Sequence, residues 1–277
     1  MAKYPAEVFG NPVRSAPGRF KDARNKYWCP FVDDKCNKQS RLIKYPMGVC
    51  SVRYGDETIA LCPRRFLQAN TVFEDIADHH FKTTNDLVVF SEIGLSQTGT
   101  FDFVMVKHRP FSSEIEDFVV VEFQTGQTTG TGQLVKGLKE AIKGEDIHGR
   151  NYGFGLNLAD IWKRSFTQIL NKGIVLENWG HKIFWVIQEP VYRDFLNRYN
   201  LSGMGYDDKH TTVFAIYDLR QDTDKYDLYQ TRIESSTIDD LFKAFRNNPN
   251  IPTKEKFVNK LDAKLKAKLG LKLELYA

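Results

Sequence analysis

The sequence lacks the features that mark membrane and secreted proteins. No apolar run approaches the roughly 20 residues that a membrane-spanning helix needs. The first residues, Met1 to Glu7, contain no apolar stretch of the kind found in secretory signals. We therefore expect a cytoplasmic protein without membrane contact. No internal repeat is visible.

Neither sign of charge is in large excess. Lysine and arginine number 39 and aspartate and glutamate 35, which gives a net charge of +4. This balance permits a polyanionic partner but does not require one. Hydrophobic residues (42%) and charged residues (27%) occur at levels ordinary for a globular enzyme. With 277 residues the chain can bury a substantial core, as one large domain or as one domain with a small module.

Cysteine is scarce and unevenly distributed. All four cysteines follow the spacing C-x6-C-x13-C-x11-C in the N-terminal part of the chain. A disulfide framework is disfavoured in a reducing cytosol, so a structural site for Zn²⁺ or a single iron is the better interpretation. The paired C-x2-C knuckles of common zinc modules are absent, and four free buried thiols are the alternative. The predicted ligands are Cys29, Cys36, Cys50 and Cys62.

The most informative part of the sequence is a pair of apolar runs, 101–106 and 118–124, separated by a polar bend. Their β-branched and aromatic residues predict two paired strands. Side chains alternate along a strand, so Glu122 and Gln124 point to one face, and Asp102 can meet Glu122 across the pair. Two carboxylates in so apolar a setting are costly unless a cation binds them, and Mg²⁺ prefers oxygen ligands. This layout is typical of a metal-dependent phosphodiesterase.

Periodicity predicts the remaining elements. Helices are predicted over 66–82, 133–143, 160–172 and 237–245, with a further helix beginning at Pro190. Strands are predicted over 87–94, 182–188, 211–219 and 226–233. Strands that alternate with helices indicate an α/β fold, a mixed β-sheet flanked by helices. We expect two units: residues 1–65, an N-terminal arm with the cysteine module, and residues 66–277, an α/β catalytic domain with a lysine-rich C-terminal helix.

Three polar segments could contact a polyanion. The irregular, basic residues 1–28 are interpreted either as a solvated loop or as an arm along a phosphate backbone. The lysine-rich tail, 254–276, is either a solvated helix face or a segment that binds DNA or a membrane surface. The loop 144–158 is long for a compact domain, which favours a functional role. Its side chains able to bond base edges or phosphates are Arg150, Asn151, Tyr152 and Asn157.

The order of these elements resembles the PD-(D/E)XK nuclease fold. A helix is followed by a strand ending near Glu92, a strand with Asp102 and a strand with Glu122 and Gln124. Gln124 stands where that fold usually has lysine. With the four cysteines added, about residues 25–135 resemble the NotI family of type II restriction endonucleases.

This resemblance implies specific roles for the candidate residues. Asp102 and Glu122 would bind Mg²⁺, and Glu92 would be the accessory acid, with Glu74 as the alternative. Gln124 cannot act as a base, so it would only position the attacking water. The cysteines would hold iron, which zinc could replace.

The resemblance also implies an activity and partners. We expect Mg²⁺-dependent cleavage of double-stranded DNA at a palindromic site, leaving 5′ phosphates, with a cognate DNA methyltransferase in the same cell. A homodimer is expected, because two active sites related by a two-fold axis match the two strands of a palindrome. Two alternatives stay open: a structure-specific or repair nuclease of the same fold, and a non-catalytic, metal-stabilised DNA-binding protein.

Overall fold

The computed structural model describes residues 1–14, 26–201, 204–222 and 224–269. The strands in these ranges are β1 (Lys3–Val8), β2 (Asn11–Pro12), β3 (Trp28–Cys29), β4 (Asp34–Lys35), β5 (Val49–Tyr54), β6 (Glu57–Ala60), β7 (Leu87–Leu95), β8 (Gly99–His108), β9 (Ile115–Gln124), β10 (Thr128–Thr129), β11 (Gly155–Leu156), β12 (Ile183–Gln188), β13 (Thr212–Gln221) and β14 (Tyr226–Ser236). The α-helices are α1 (Thr71–Ile76), α2 (Thr131–Lys143), α3 (Leu158–Trp179), α4 (Glu189–Tyr199), α5 (Ile238–Arg246) and α6 (Lys254–Leu269). None of the helices described is long and apolar enough to cross a membrane.

A six-stranded sheet in the order β14-β13-β12-β9-β8-β7 forms the centre of the molecule. Strands β9, β12 and β13 run parallel to one another, and β7, β8 and β14 pair antiparallel with their neighbours. Parallel neighbours need long crossovers, which helices provide here: α2 and α3 lie between β9 and β12, and α4 lies between β12 and β13. The predicted mixed sheet flanked by helices is confirmed.

Helices cover both faces of the central strands of this sheet, and each face has its own apolar core. The central strand β12, with the sequence IFWVIQ, is buried along its whole length, as expected for a parallel strand covered on both sides. The core under α2 to α5 includes Val120, Trp185, Phe214, Leu138, Trp162, Phe195 and Leu241. The core under α1 and its flanking turns includes Val121, Phe184, Ala215, Phe66, Val72 and Ile76.

The N-terminal residues form a second sheet, antiparallel and in the order β2-β1-β5-β6. The expectation of an irregular segment is therefore wrong for residues 3–12, while residues 15–25 lie outside the described part of the chain. Pro5 lies within β1, next to a shift of register in the pairing of β1 with β5. Side chains of β1 and β5 join the core under α2 to α5, so the predicted units 1–65 and 66–277 share apolar packing. The boundary between them stays a prediction.

One predicted helix differs in form from the expectation. The segment expected as one helix over 66–82 is a 3-10 helix (Pro63–Asn70), then α1, then a π-helical turn (Ala77–Phe81). Ala69 and Asn70 have left-handed backbones, with φ of 51° and 59°, which interrupts the α-helix. In α6 every described side chain, 254–267, is exposed. The role of this lysine-rich helix stays open between the alternatives above.

Candidate active site

Three acidic residues lie opposite one another on three adjacent strands. The register places Asp102 of β8 between Glu122 of β9 and Glu92 of β7. We call these three residues the acidic row. The pairs that fix the register are Phe103 with Val121, Ser91 with Phe103, and Ile93 with Phe101.

At the acidic row, hydrogen bonds between side chains and the backbone replace some of the backbone hydrogen bonds that would join β8 to β9. Asp102 Oδ2 accepts a hydrogen bond from the backbone N–H of Phe123, at 2.9 Å. The backbone N–H of Asp102 donates to Glu122 Oε1, at 3.3 Å. Glu92 has a left-handed backbone, with φ of 57°, a conformation that is unfavourable for a residue other than glycine. The strand ends are therefore shaped around the three carboxylates rather than around the regular ladder.

Glu122 is the most perturbed acid of the row. Its side chain is 1% exposed, and this burial, followed by the neighbouring charge of Asp102, raises its pKa to about 7. A bond from Lys172 opposes the rise but does not cancel it. Two carboxylates that repel each other in a buried place are the setting in which a cation binds favourably.

An open cleft of about 670 Å³ borders the acidic row. Glu92, Asp102 and Gln124 line it, while Glu122 is buried and does not. Arg64 and Arg164 also line the cleft, which brings positive charge next to the acids. Carboxylates and guanidinium groups therefore lie side by side along this cleft.

Helix α3 supplies three side chains that the sequence analysis did not identify. Ser165 Oγ donates to Gln124 Oε1 at 2.6 Å, and Gln124 Nε2 donates to Gln168 Oε1 at 3.2 Å. Lys172 Nζ donates to Glu122 Oε1 at 2.7 Å. Positions three and four apart share one face of a helix, so 165, 168 and 172 form one stripe. Polar residues on the buried face of an amphipathic helix are the signal that could have found them.

Comparison with known proteins identifies the family of the chain. The model of the restriction endonuclease NotI family matches residues 18–230. The chain belongs to the NotI family. It is therefore a site-specific deoxyribonuclease of the type II restriction class, and it binds DNA. No curated protein matches it.

The stretch that matches the NotI family includes all four cysteines, and these line one small cavity. Cys29 and Cys50 lie on β3 and β5, and Cys36 and Cys62 lie in the segments that follow β4 and β6. Burial is the main cause that raises the pKa values of the Cys50 and Cys62 thiols. In the described residues no group of three or more His, Cys, Asp or Glu side chains is placed so that it could hold a metal ion as it stands. The metal site stays a prediction.

The loop 144–158 of this NotI-family chain lies outside the cleft, and its four candidate side chains make contacts within the protein. Arg150 Nη1 lies 2.8 Å from Glu140 Oε2, and the Tyr152 hydroxyl donates to the same oxygen at 2.6 Å. Asn157 caps α3, since its side-chain oxygen accepts from the backbone N–H of residue 160. Asn151 Oδ1 accepts from the backbone N–H of residue 153 at 3.0 Å. Their role in DNA binding stays a prediction.

Proposed function

We propose that the protein cleaves double-stranded DNA at a palindromic site in a Mg²⁺-dependent reaction that leaves 5′ phosphates. The observation that supports this function is the acidic row beside the cleft, in a chain of a restriction endonuclease family. Asp102 and Glu122 are the proposed metal ligands, and Glu92 is the proposed accessory acid. Glu92, rather than Glu74, is preferred because Glu92 lines the cleft and lies opposite Asp102.

The donor set fits a hard divalent cation. Carboxylate oxygens at one end of two paired strands are the ligand type that Mg²⁺ prefers. Both hydrogen bonds that Glu122 accepts in the described chain go to Oε1, so Oε2 is left for a cation. When bound, Mg²⁺ would lower the pKa of the attacking water and neutralise charge on the scissile phosphate.

The side chains of the cleft would orient the substrate. Gln124 is neutral and takes no proton, so its amide would position the water or a phosphate oxygen. Arg64 and Arg164 would bind phosphates of the DNA backbone, because guanidinium groups match phosphate geometry. The oxygen of the water would then bond to phosphorus while the bond from phosphorus to the 3′ oxygen breaks. The substrate phosphate would take up the proton of the water, and the phosphate would stay on the 5′ end.

Digestion of a sequenced plasmid with Mg²⁺, followed by mapping of the ends, tests this function. We expect discrete fragments with 5′ phosphates. Asp102→Asn should bind the site but not cleave it, because the change removes a metal ligand and leaves Arg64 and Arg164 in place. Glu116→Gln is the matched control, since Glu116 is an acid on β9 outside the cleft.

Other outcomes of the same digestion identify the alternatives. A smear or cuts confined to junctions indicate a structure-specific or repair nuclease, and intact DNA indicates a non-catalytic binding protein. Cleavage by Asp102→Asn at the wild-type rate would overturn the assignment of the active site.

We also propose that the four cysteines hold one structural iron or zinc ion. Their convergence on one enclosed cavity supports this proposal. Cys62→Ser should lower the metal content and destabilise the N-terminal sheet, as shown by elemental analysis and hydrogen exchange. Active protein without transition metal would contradict the site.

A homodimer is the proposed active form, and a cognate methyltransferase is its proposed partner in the cell. Two copies related by a two-fold axis would place one site on each strand of a palindrome. Sedimentation with DNA should show two chains per site. One chain per site, with nicked DNA as the end product, would contradict the dimer.

A further inference from the structure

Lys172 is a buried cation that contacts both strands of the proposed metal ligands. Its side chain is 5% exposed, and its ammonium group donates to Glu122 Oε1 on β9 and to the carbonyl oxygen of Thr100 on β8, each at 2.7 Å. A buried lysine is costly unless a carboxylate and further acceptors satisfy it. The chain meets this requirement beside Asp102 and Glu122. Lys172 therefore fixes the two strand ends relative to each other.

The contact also determines which oxygen of Glu122 is available. The two hydrogen bonds to this carboxylate, from Lys172 and from the backbone of Asp102, converge on Oε1. Oε2 is then the oxygen that Glu122 presents. Partners behind a metal ligand commonly fix its orientation in this way.

Ser165 and Gln168 fix the amide of Gln124. The hydroxyl of Ser165 donates to Gln124 Oε1, and Gln168 Oε1 accepts a hydrogen bond from one N–H of Gln124. The second N–H of Gln124 has no hydrogen-bond partner among the described residues, and this amide lines the cleft. Gln124 then presents a donor to the cleft, and a lysine at this position would also present a donor. This accounts for a glutamine at the position.

We propose that Ser165, Gln168 and Lys172 are positioning residues of the cleavage reaction. Lys172 holds Glu122 so that Oε2 faces the metal ion, and Ser165 and Gln168 hold Gln124 so that it donates an N–H to the scissile phosphate or the attacking water. The proposal rests on the proposed function, because it assigns a task to side chains that support that same site.

The first test is Lys172→Met, with Lys182→Met as the matched control. Lys182 is also a largely buried lysine with a carboxylate partner, Asp208, but its ammonium group donates to Tyr206 and Asp208 and not to a proposed metal ligand. Binding of Mn²⁺ to the free enzyme, followed by electron paramagnetic resonance, should weaken about tenfold or more in Lys172→Met. DNA affinity should stay within about twofold, and Lys182→Met should leave both values unchanged.

The second test is a double-mutant cycle that leaves no buried charge unpaired. Ser165→Ala and Gln168→Leu should each lower the single-turnover cleavage rate about tenfold, with unchanged Mn²⁺ and DNA affinities. In a Gln124→Met background neither change should lower the rate further, because both act through Gln124. If either change lowers the cleavage rate further in the Gln124→Met background, the proposed roles of Ser165 and Gln168 are wrong.

The outcomes separate this proposal from the proposed function. Cleavage by Asp102→Asn at the wild-type rate overturns the function and the inference together. If Asp102→Asn is inactive while Lys172→Met binds Mn²⁺ and cleaves like the wild type, only the role of Lys172 fails. If Lys172→Met does not fold, Lys172→Arg replaces it, and this variant should retain Mn²⁺ affinity within about tenfold. A folded Lys172→Arg with no Mn²⁺ binding would contradict the role of Lys172.

Discussion

Glu7 pairs with Arg65, and Glu122 pairs with Lys172. The two ion pairs have a similar composition, but they differ in how many oxygens of the carboxylate accept hydrogen bonds. In each pair both side chains are almost fully buried. Both oxygens of Glu7 accept from Arg65 Nε, at 2.9 and 3.1 Å, and Ser51 Oγ adds a third bond at 2.6 Å. Among the described residues, Glu122 receives its hydrogen bonds at Oε1 alone.

The two glutamates differ in the hydrogen bonds that their carboxylate oxygens do not receive from the fold. Glu7 has a cation and a hydroxyl as partners and belongs to a closed network between β1, β5 and the 3-10 helix. Glu122 has a second carboxylate, Asp102, beside it, and one of its oxygens is left for a partner from outside. A buried carboxylate that is completely bonded stabilises a fold, and an incompletely bonded one is available for binding and catalysis.

Matched substitutions of the two glutamates should give the largest difference. Glu122→Gln should lower the cleavage rate on the order of a thousandfold, because a metal ligand supplies several kcal/mol of charge stabilisation and each tenfold corresponds to about 1.4 kcal/mol. Glu7→Gln should leave the rate per folded molecule unchanged. Single-turnover cleavage with saturating Mg²⁺ measures both. Equal losses in the two variants would remove the distinction between the pairs.

Removal of Arg65, the cation of the Glu7–Arg65 pair, should have the largest effect on the free energy of unfolding. Arg65→Met leaves Glu7 buried without its partner, and we expect the free energy of unfolding to fall by about 3–5 kcal/mol. Urea unfolding followed by tryptophan fluorescence gives the value. A loss below about 1 kcal/mol would show that the network contributes little.

The pH dependence of stability should distinguish the Glu122–Lys172 pair from the Glu7–Arg65 pair. The pKa of Glu122 rises from 4.5 to about 7 in the fold, so the folded state holds this proton more tightly than the unfolded state does. The stabilisation that comes from this tighter proton binding is complete below pH 4.5 and is lost as the pH rises through about 7. At about 1.4 kcal/mol per pKa unit, its upper limit is about 3 kcal/mol. Unfolding in EDTA at several pH values should show this loss in the wild type and not in Glu122→Gln; the same slope in both would contradict it.

The smallest effect is expected for Gln124→Lys. Because Gln124 lines an open cleft, lysine should fit there, and the variant should fold and cleave within about tenfold of the wild type, with an altered metal preference. Gln188→Lys is the matched control, since the amide of Gln188 is buried and bonded to Ala60, Thr58 and Asp218. Thermal unfolding should show that only Gln188→Lys is destabilised. Unfolding of Gln124→Lys would mean that Gln124 is a structural amide.

The acids could be predicted from the sequence because local rules determine their placement. Alternation along β8 and β9 brings Asp102 and Glu122 together, and the preceding strand, β7, adds Glu92. The partners on α3 could not be predicted in the same way. Lys172 is 50 residues from Glu122, and helical periodicity shows that its face is buried but not which sheet position it meets.

The N-terminal sheet was missed for a related reason. Pro5 and Gly10 are signals of irregular structure, whereas β1 depends on pairing with β5, about 40 residues later and with a shifted register. Non-local pairing overrides local propensity here. The break at Ala69 and Asn70 has only a weak signal in residue type, because asparagine tolerates a left-handed backbone but alanine seldom adopts one.

The separation of Lys172 from the acidic row has a consequence for the order of synthesis. A ribosome adds about 5–20 residues per second, so the acids emerge several seconds before the helix that holds Glu122 and Gln124. A nascent or truncated chain that ends before α3 carries the carboxylates but not the side chains that orient them. On the proposed roles of these side chains, competence to cut DNA would be acquired only after α3 has been synthesised.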